Sequence, residues 1–468
     1  MTAPVQDSAI ALPTKRFFVS MLTRDIDLKD AILDLVDNCL DGALRSARVN
    51  PVDYAKHSIE IEVGRARFRI ADDCGGIPRE IAKNYAFKMG RERADERDSE
   101  SETIGMYGIG MKRAIFKMGT NAVVRSFNGH DKFKVPISAD WLEQPNWDPL
   151  PILDDVGGDA LTTQGTTIVV SDLYESVARQ FANDGFVDDL KTALGEHFTT
   201  FIQKGLRISV NSVAVEPVRI EVLVSTEAGG PAPYVYTKDI EGVNVSIVVG
   251  INAAQSNDED DEEPTEFSGD RSSKTAGWNI FCNDRAVIVG DKSRMTGWGD
   301  GVPLYHPQFS VITAIIEFRS AAADKLPVTT TKRALDTSSP VWLEAKVKMR
   351  EGLRVWTSYT NAWKNHPRSD QAIYWRSAKA LALAPALVAV SEREKARRSD
   401  GGIEFNPAKR MVLPMPPDKK PSSRRVVFTR PIEEIRTLSS RFFDREDEKP
   451  GLVGDRCFEI VLGNGQIK

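Results

Sequence analysis

Cysteine and histidine are scarce, four and five in 468 residues. Cys39, Cys74, Cys282 and Cys457 stand far apart with no CxxC pair, and the histidines are equally scattered. Neither a disulfide framework nor a zinc cluster is indicated, and a reduced, cytoplasmic protein is expected. Long apolar runs are lacking too. The longest, near 380–390, is shorter than the ~20 residues that span a bilayer, so no membrane role is expected. Met1–Pro13 has no basic region followed by an apolar core and does not read as a signal peptide. Neither sign of charge dominates: 62 Lys and Arg against 67 Asp and Glu leave a net charge of -5. A polymer-coating role driven by a strongly basic field is thereby excluded.

What is present is an ordinary core-forming composition, 41% hydrophobic and 28% charged. The length suits roughly two to four domains. Asp25–Arg48 carries Ile32, Leu35, Val36, Cys39, Leu40, Ala43 and Leu44 at helical spacing, which predicts one amphipathic helix. Alternation over Ser58–Val63 and Arg67–Ala71 predicts a hairpin ending at Asp72. Lys88–Thr103 is dense in charge and almost free of apolar residues, as a mobile loop would be. Strands are expected at Ala122–Phe127, Lys132–Ile137 and Thr166–Ser171, so the first ~200 residues read as mixed α and β with an antiparallel leaning. Six further strands are expected between Leu206 and Thr337, around an acidic insert at Asn257–Glu263. A helical pattern covers Val341–Arg398, and a Pro- and Gly-rich linker follows.

Four polar motifs interrupt this pattern. On the first helix, Asp30, Asp34, Asp37, Asn38 and Asp41 fall within three turns. Like charges at such spacing repel by a few tenths of a kcal/mol per pair. A bound hard cation, a proton-accepting role or a plain solvated face would each account for them. Asp72-Asp73-Cys74-Gly75-Gly76 ends a strand. Its glycines allow close backbone approach, and an acid before them can accept from an exocyclic amine, although acid-Gly-Gly is also an ordinary turn. Gly105-x-x-Gly108-x-Gly110 followed by Lys112 opens a helix, where backbone amides can cradle phosphate. Its spacing is the reverse of the dinucleotide fingerprint, and a charged loop replaces the apolar strand which that fingerprint needs upstream. Gln164-Gly165-Thr166-Thr167 opens a strand and means little alone.

In order and spacing the four motifs resemble the boxes of the Bergerat-fold, or GHKL, ATPases: gyrase B, MutL, the ninety-kilodalton heat-shock chaperones, MORC proteins and histidine kinases. The resemblance covers about residues 14–175. It implies an α+β chain: a Bergerat α/β sandwich that binds ATP and Mg²⁺, a transducer-type α/β domain and a helical C-terminal region. It also implies roles. Asn38 would hold Mg²⁺, and Asp72, supported by Thr166, would accept from the adenine amine. Gly76 would belong to the nucleotide site as well, while Gly105, Gly108 and Gly110 wrap the phosphates and Lys112 adds charge. Lys88–Thr103 would be the lid. The family's general base is Glu, four residues before the Asn; here Asp34 stands there, one methylene shorter, which leaves slow hydrolysis or binding without turnover open. Cys74 replaces a usual Gly and reads as a packed residue.

Leu326-Pro-Val-Thr-Thr-Thr-Lys332-Arg333 resembles the transducer loop of the gyrase, MutL and MORC branches, whose Lys contacts the terminal phosphate. Lys332 is the candidate, against the commoner fate of a solvated lysine. Asn283-Asp284-Arg285 resembles the transducer's N-x-R strand, for which packing is the expected role. The expected divisions are 1–200, 201–340, 341–398, the linker 399–425 and a small segment 426–468. Pro13–Leu22 carries an apolar patch (Phe17, Phe18, Val19, Met21, Leu22) that either crosses between subunits, as in relatives, or packs within its own chain. Expected partners are ATP, a second copy in an ATP-dependent homodimer, and nucleic acid or a partner subunit. The alternatives are a chaperone-like ATPase acting on protein clients and a nucleotide-binding signalling module.

Overall fold

The apolar stripe predicted on the first long helix is the centre of the first core. In the computed structural model it forms α2 (Leu28–Ser46), preceded by α1 (Lys15–Arg24). Ala31, Ile32, Leu35, Val36, Leu40 and Ala43 are buried against a sheet. Each large side chain so buried contributes ~1.5–3 kcal/mol. The structure describes residues 14–47, 51–90, 103, 108–158, 160–225, 230–252, 274–329, 332–364, 366, 371, 373–398, 413–416 and 429–463. Gly105, most of the expected lid, the acidic insert, Thr330, Thr331 and most of the expected linker lie outside these residues.

The first sheet has eight strands: β1 (Ser58–Val63), β2 (Phe68–Asp72), β3 (Gly119–Phe127), β4 (Lys132–Ile137), β5 (Leu153–Asp154), β6 (Gly165–Leu173), β7 (Arg207–Val210) and β8 (Val213–Ala214). Their order is β5-β4-β3-β6-β2-β1-β7-β8, antiparallel except for the parallel pair β1–β7. β1 and β2 bury alternate residues, Ile59, Ile61, Val63, Phe68 and Ile70, as period-2 patterning dictates. Beside α2 packs α3 (Gly110–Met118), through Ala114, Ile115 and Met118. α4 (Glu175–Phe181) and α5 (Asp184–His197) complete the helical cover. The result is the mixed α+β, sheet-and-helix sandwich that the sequence predicts.

A second sheet follows, in the order β10-β11-β14-β12-β13: β10 (Tyr234–Ile240), β11 (Val243–Ile251), β12 (Gly277–Cys282), β13 (Arg285–Asp291) and β14 (Ile312–Arg319). α6 (Pro340–Trp363) lays Trp342, Ala345, Met349, Leu353 and Trp356 into its core. The stretch 341–398 is not helical throughout. β15 (Ala378–Leu381) pairs with β9 (Val222–Ser225) before α7 (Leu383–Arg398) begins. No helix among the described residues is long and apolar enough to cross a membrane.

The chain divides into two compact units, Met1–Met415 and Pro416–Lys468. The second unit holds α8 (Ile432–Phe443) and α9 (Pro450–Val461). Between them Ser439 Oγ accepts from the Glu448 amide at 3.1 Å.

Candidate functional site

α2 carries its acids inward, not into solvent. Asp34, Asp37 and Asp41 are 4%, 0% and 0% exposed, whereas Asn38 is exposed. Each acid has a cation. Asp34 pairs through Oδ2 with Arg113 of α3. Asp41 meets Arg45 at 3.6 Å, and Asp30 meets Arg333 at 2.8 Å. Asp37 takes two: Arg285 Nε donates to Oδ1 at 2.8 Å and Lys332 Nζ to Oδ2 at 2.8 Å. Burial alone would push the Asp37 carboxyl up, but these two cations and their hydrogen bonds hold it below the usual carboxylate range. The solvated-face account of the acidic helix is therefore excluded by the burial of these three acids.

One cavity of about 540 Å³ is lined by Asp34 and Asn38 from α2, Asp72 and Gly76 after β2, Gly108, Gly110 and Lys112 at the start of α3, Thr166 of β6, and Lys332. Every candidate residue except Gly105, which is outside the described residues, meets there. Asp72 ends β2 opposite Thr166, and its Oδ1 accepts from the Cys74 amide at 2.8 Å. Burial raises its carboxyl to about 6, against the lowering pull of that amide, the Cys39 thiol and the Thr166 amide. Gly76 sits at φ +71, and a Cβ there would stand 2.2 Å from the Phe127 carbonyl oxygen. Gly165 sits at φ +152, with space for a Cβ closed off by the Asp72 oxygen at 1.8 Å. Both positions require glycine.

Gly108 turns the chain at φ +63 into α3. Lys112, 3% exposed, donates to the carbonyls of Ala86, at 2.9 Å, and Gly108. It thereby joins Ala86, before the charged loop, to the turn that opens α3; of the loop itself only Lys88–Gly90 and Thr103 are described. Asp73 is a strand anchor: its oxygens accept from the Ser58 amide at 2.7 Å and hydroxyl at 2.6 Å. Cys74 is 1% exposed, and burial together with the Asp72 and Asp73 charges pushes its thiol far up, as packing and not nucleophilic use predicts.

Sequence reasoning missed the partners. Arg113 adjoins Lys112 but carries no motif of its own. Arg285, read as a packing residue, is 1% exposed and is in addition ion-paired with Asp37. Asn283 beside it does serve structure, donating to the carbonyls of Ser320 at 2.9 Å and Thr103 at 3.2 Å. Lys332 is 8% exposed, at φ +55, and not a solvated lysine. Behind it burial and the Arg285 and Arg333 charges lower His197 to about 3. The neutral ring donates from Nδ1 to Ala286 O at 2.6 Å and accepts at Nε2 from Arg333 at 3.0 Å.

Residues 26–153 match the family of histidine kinase-, DNA gyrase B- and HSP90-like ATPases. The match spans α2, β1, β2, α3 and the cavity wall they build, and it supports a GHKL-type ATPase domain with ATP binding and nucleotide-dependent activity. Thr166 and Lys332 lie beyond the matched residues and join the cavity through the fold alone. No curated protein matches the chain.

The donor set fits Mg-ATP. An exposed amide at Asn38 offers an oxygen to a hard cation. A half-buried acceptor at Asp72 suits an amine, and the start of α3 lines the same cavity, where the amides of a helix N-terminus suit an anion.

Proposed function

We propose that this chain is a cytoplasmic Mg-ATP-binding switch of the MORC- and MutL-like GHKL branch, in which nucleotide occupancy is read by a transducer-type second domain (201–340) and converted into dimerisation. The observation that carries the reading is the convergence of nine candidate residues on one cavity, the last of them, Lys332, supplied from beyond the second sheet. Asn38 would hold Mg²⁺, Asp72 with Thr166 and Gly76 the adenine, and Gly105, Gly108, Gly110 and Lys112 the phosphates. Bound Mg²⁺ would neutralise phosphate charge. Asp34 would orient water, and Lys332 would contact the terminal phosphate. Such a contact makes the arrangement of two domains depend on a single phosphoryl group.

One exposed helix face and one feature of the sequence support the dimer and polymer sides of the proposal. Phe17 and Met21 on α1 are 61% and 47% exposed, while Val19 packs inward and Phe18 meets Trp147 edge-on at 5.6 Å. The stretch 367–430 has 14 Lys and Arg against 6 Asp and Glu, a difference of +8, which suits contact with nucleic acid or an acidic partner subunit. DNA repair or defence against foreign DNA is the setting that such clamps suggest. The deciding experiment is the solution mass with and without a non-hydrolysable ATP analogue, with and without DNA. An analogue-dependent doubling supports the clamp, and a constant monomer that ignores DNA refutes it.

One observation favours a second reading. Asp34 is held by Arg113 in a buried ion pair, an arrangement suited to a nucleotide-binding signalling module with little hydrolysis. Tight analogue binding without phosphate release would select it.

A further inference from the structure

Asp37, Arg285 and Lys332 close a ring. Lys332 Nζ donates to Asp37 Oδ2 at 2.8 Å, Arg285 Nε donates to Asp37 Oδ1 at 2.8 Å, and Arg285 Nη1 donates to the Lys332 carbonyl at 3.0 Å. All three residues are at most 8% exposed. Asp37 comes from α2, Arg285 from β13 and Lys332 from the loop before α6. Arg285 therefore grips both the backbone of Lys332 and the acid that holds its side chain. Lys332 is the member of the ring that lines the cavity. Its backbone is left-handed at φ +55, a conformation that a non-glycine residue keeps only when its surroundings impose it.

The charges are unequal. One carboxylate faces two cations, so the ring carries a net positive charge, whereas Arg113 and Arg333 each have an acid of their own. Arg285 Nη2 is buried with no hydrogen-bond partner among the described residues. An ammonium has three donors, so bonding Asp37 does not prevent Lys332 from donating to an anion in the cavity.

We propose that Asp37 and Arg285 are positioning residues for triphosphate recognition, holding the Lys332 ammonium at the cavity wall so that the chain tells a nucleoside triphosphate from the diphosphate. This rests on the reading of the cavity as an ATP site. The pair acts through Lys332 and touches no nucleotide itself. A second consequence follows from chain origin: the discrimination exists only while β13 and the lysine loop are docked on α2.

The test is calorimetric binding of a non-hydrolysable ATP analogue and of ADP, with Mg²⁺, to the full chain. The quantity read is the ratio of the two affinities. A loss of folded protein lowers both affinities together and leaves the ratio alone. Lys332→Met should lower the ratio about tenfold, the worth of one hydrogen bond to a charged group. Asp37→Asn and Arg285→Met should lower it in the same direction, Arg285→Lys should restore part of it, and Arg285→Met with Lys332→Met should do no more than Lys332→Met alone. Thermal melts of each variant, with Asp37→Glu as a conservative companion, identify any that fail to fold. An unchanged ratio in Arg285→Met and Asp37→Asn, beside a lowered one in Lys332→Met, overturns the inference and spares the site. A raised ratio in Asp37→Asn also overturns it, making the acid a restraint. A wild-type chain that binds neither nucleotide refutes the ATP reading itself.

Discussion

The Lys332 ammonium lies 2.8 Å from the Asp37 carboxylate, although 295 residues separate them in sequence. Breaking a buried pair by removing one member leaves the other charge uncompensated, at about 3–5 kcal/mol. Asp37→Ala strands two cations, so it should destabilise the first unit by at least that much and lower its melting temperature. Lys332→Ala leaves Asp37 with Arg285 and should cost less stability, while reducing turnover more than nucleotide affinity. Because the folded Asp37 carboxyl is held below its ordinary 3.8, the stability it contributes is present above that pH and is lost as pH falls through the lower, folded value. Acid titration of unfolding should therefore show a steeper loss in wild type than in Asp37→Asn. Parallel curves would remove the ion ring as a source of stability.

Asp34 and Arg113 form a second buried pair, with side chains 5% and 8% exposed. The Arg113 guanidinium reaches the Asp34 carboxylate on the cavity wall. Asp34→Asn should keep nucleotide affinity within about threefold and abolish phosphate release, while destabilising the fold by about 3 kcal/mol. Steady-state phosphate release and chemical denaturation read the two effects separately. Turnover that survives in Asp34→Asn would assign the proton-accepting role elsewhere.

The legible parts of this protein were those written locally. The stripe from Ile32 to Ala43 announces α2, and alternation announces β1, β2 and β4, with β4 found at Lys132–Ile137 as expected. The four motifs announce the cavity because each is a short backbone device (a glycine turn, a helix start, a strand end) whose geometry is set within a few residues. The electrostatics are another matter. Asp37 meets Arg285 across 248 residues, and nothing near Asp37 distinguishes it from a solvated acid. Arg113 is one residue from Lys112, and only the packing of α3 on α2 aims it at Asp34. α1 was equally hidden. Its apolar residues fit a subunit contact as well as packing within the chain, and the buried Lys15, capping the Trp141 carbonyl and standing 3.7 Å over the Trp141 ring, has no sequence signature.

Gly76 tests the cavity wall apart from its charges. At φ +71 an L-residue is strained, and a Cβ would meet backbone, not a side chain able to move. Gly76→Ala should destabilise the fold by about 1–3 kcal/mol and weaken nucleotide binding at least tenfold, because the turn that follows Asp72 must shift. Gly158→Ala, where a Cβ meets nothing within 4 Å, is the control and should leave both unchanged. Equal behaviour of the two variants would show that the turn does not shape the site.

Asp72 gives the site a pH dependence with a definite sign. Burial lifts its carboxyl to about 6 in the folded chain. A nucleotide amine donating to the carboxylate favours the ionised form, so binding must lower that value. Affinity should therefore be constant above about pH 7 and fall as pH drops through 6, by up to about tenfold per pH unit. His197, held neutral down to about 3, adds nothing in this window. Stability of the nucleotide-free chain moves the other way: with the folded value above the ordinary 3.8, the contribution of Asp72 is full below 3.8 and is lost as pH rises through 6. Asp72→Asn should bind weakly and flatten the Asp72 component of the affinity profile. Calorimetry of ADP binding from pH 5 to pH 8, run on both proteins beside thermal melts of the free chains, separates the two trends. If the wild-type profile coincides in shape with that of Asp72→Asn, the carboxylate is not the acceptor and the base is read by another group on the cavity wall.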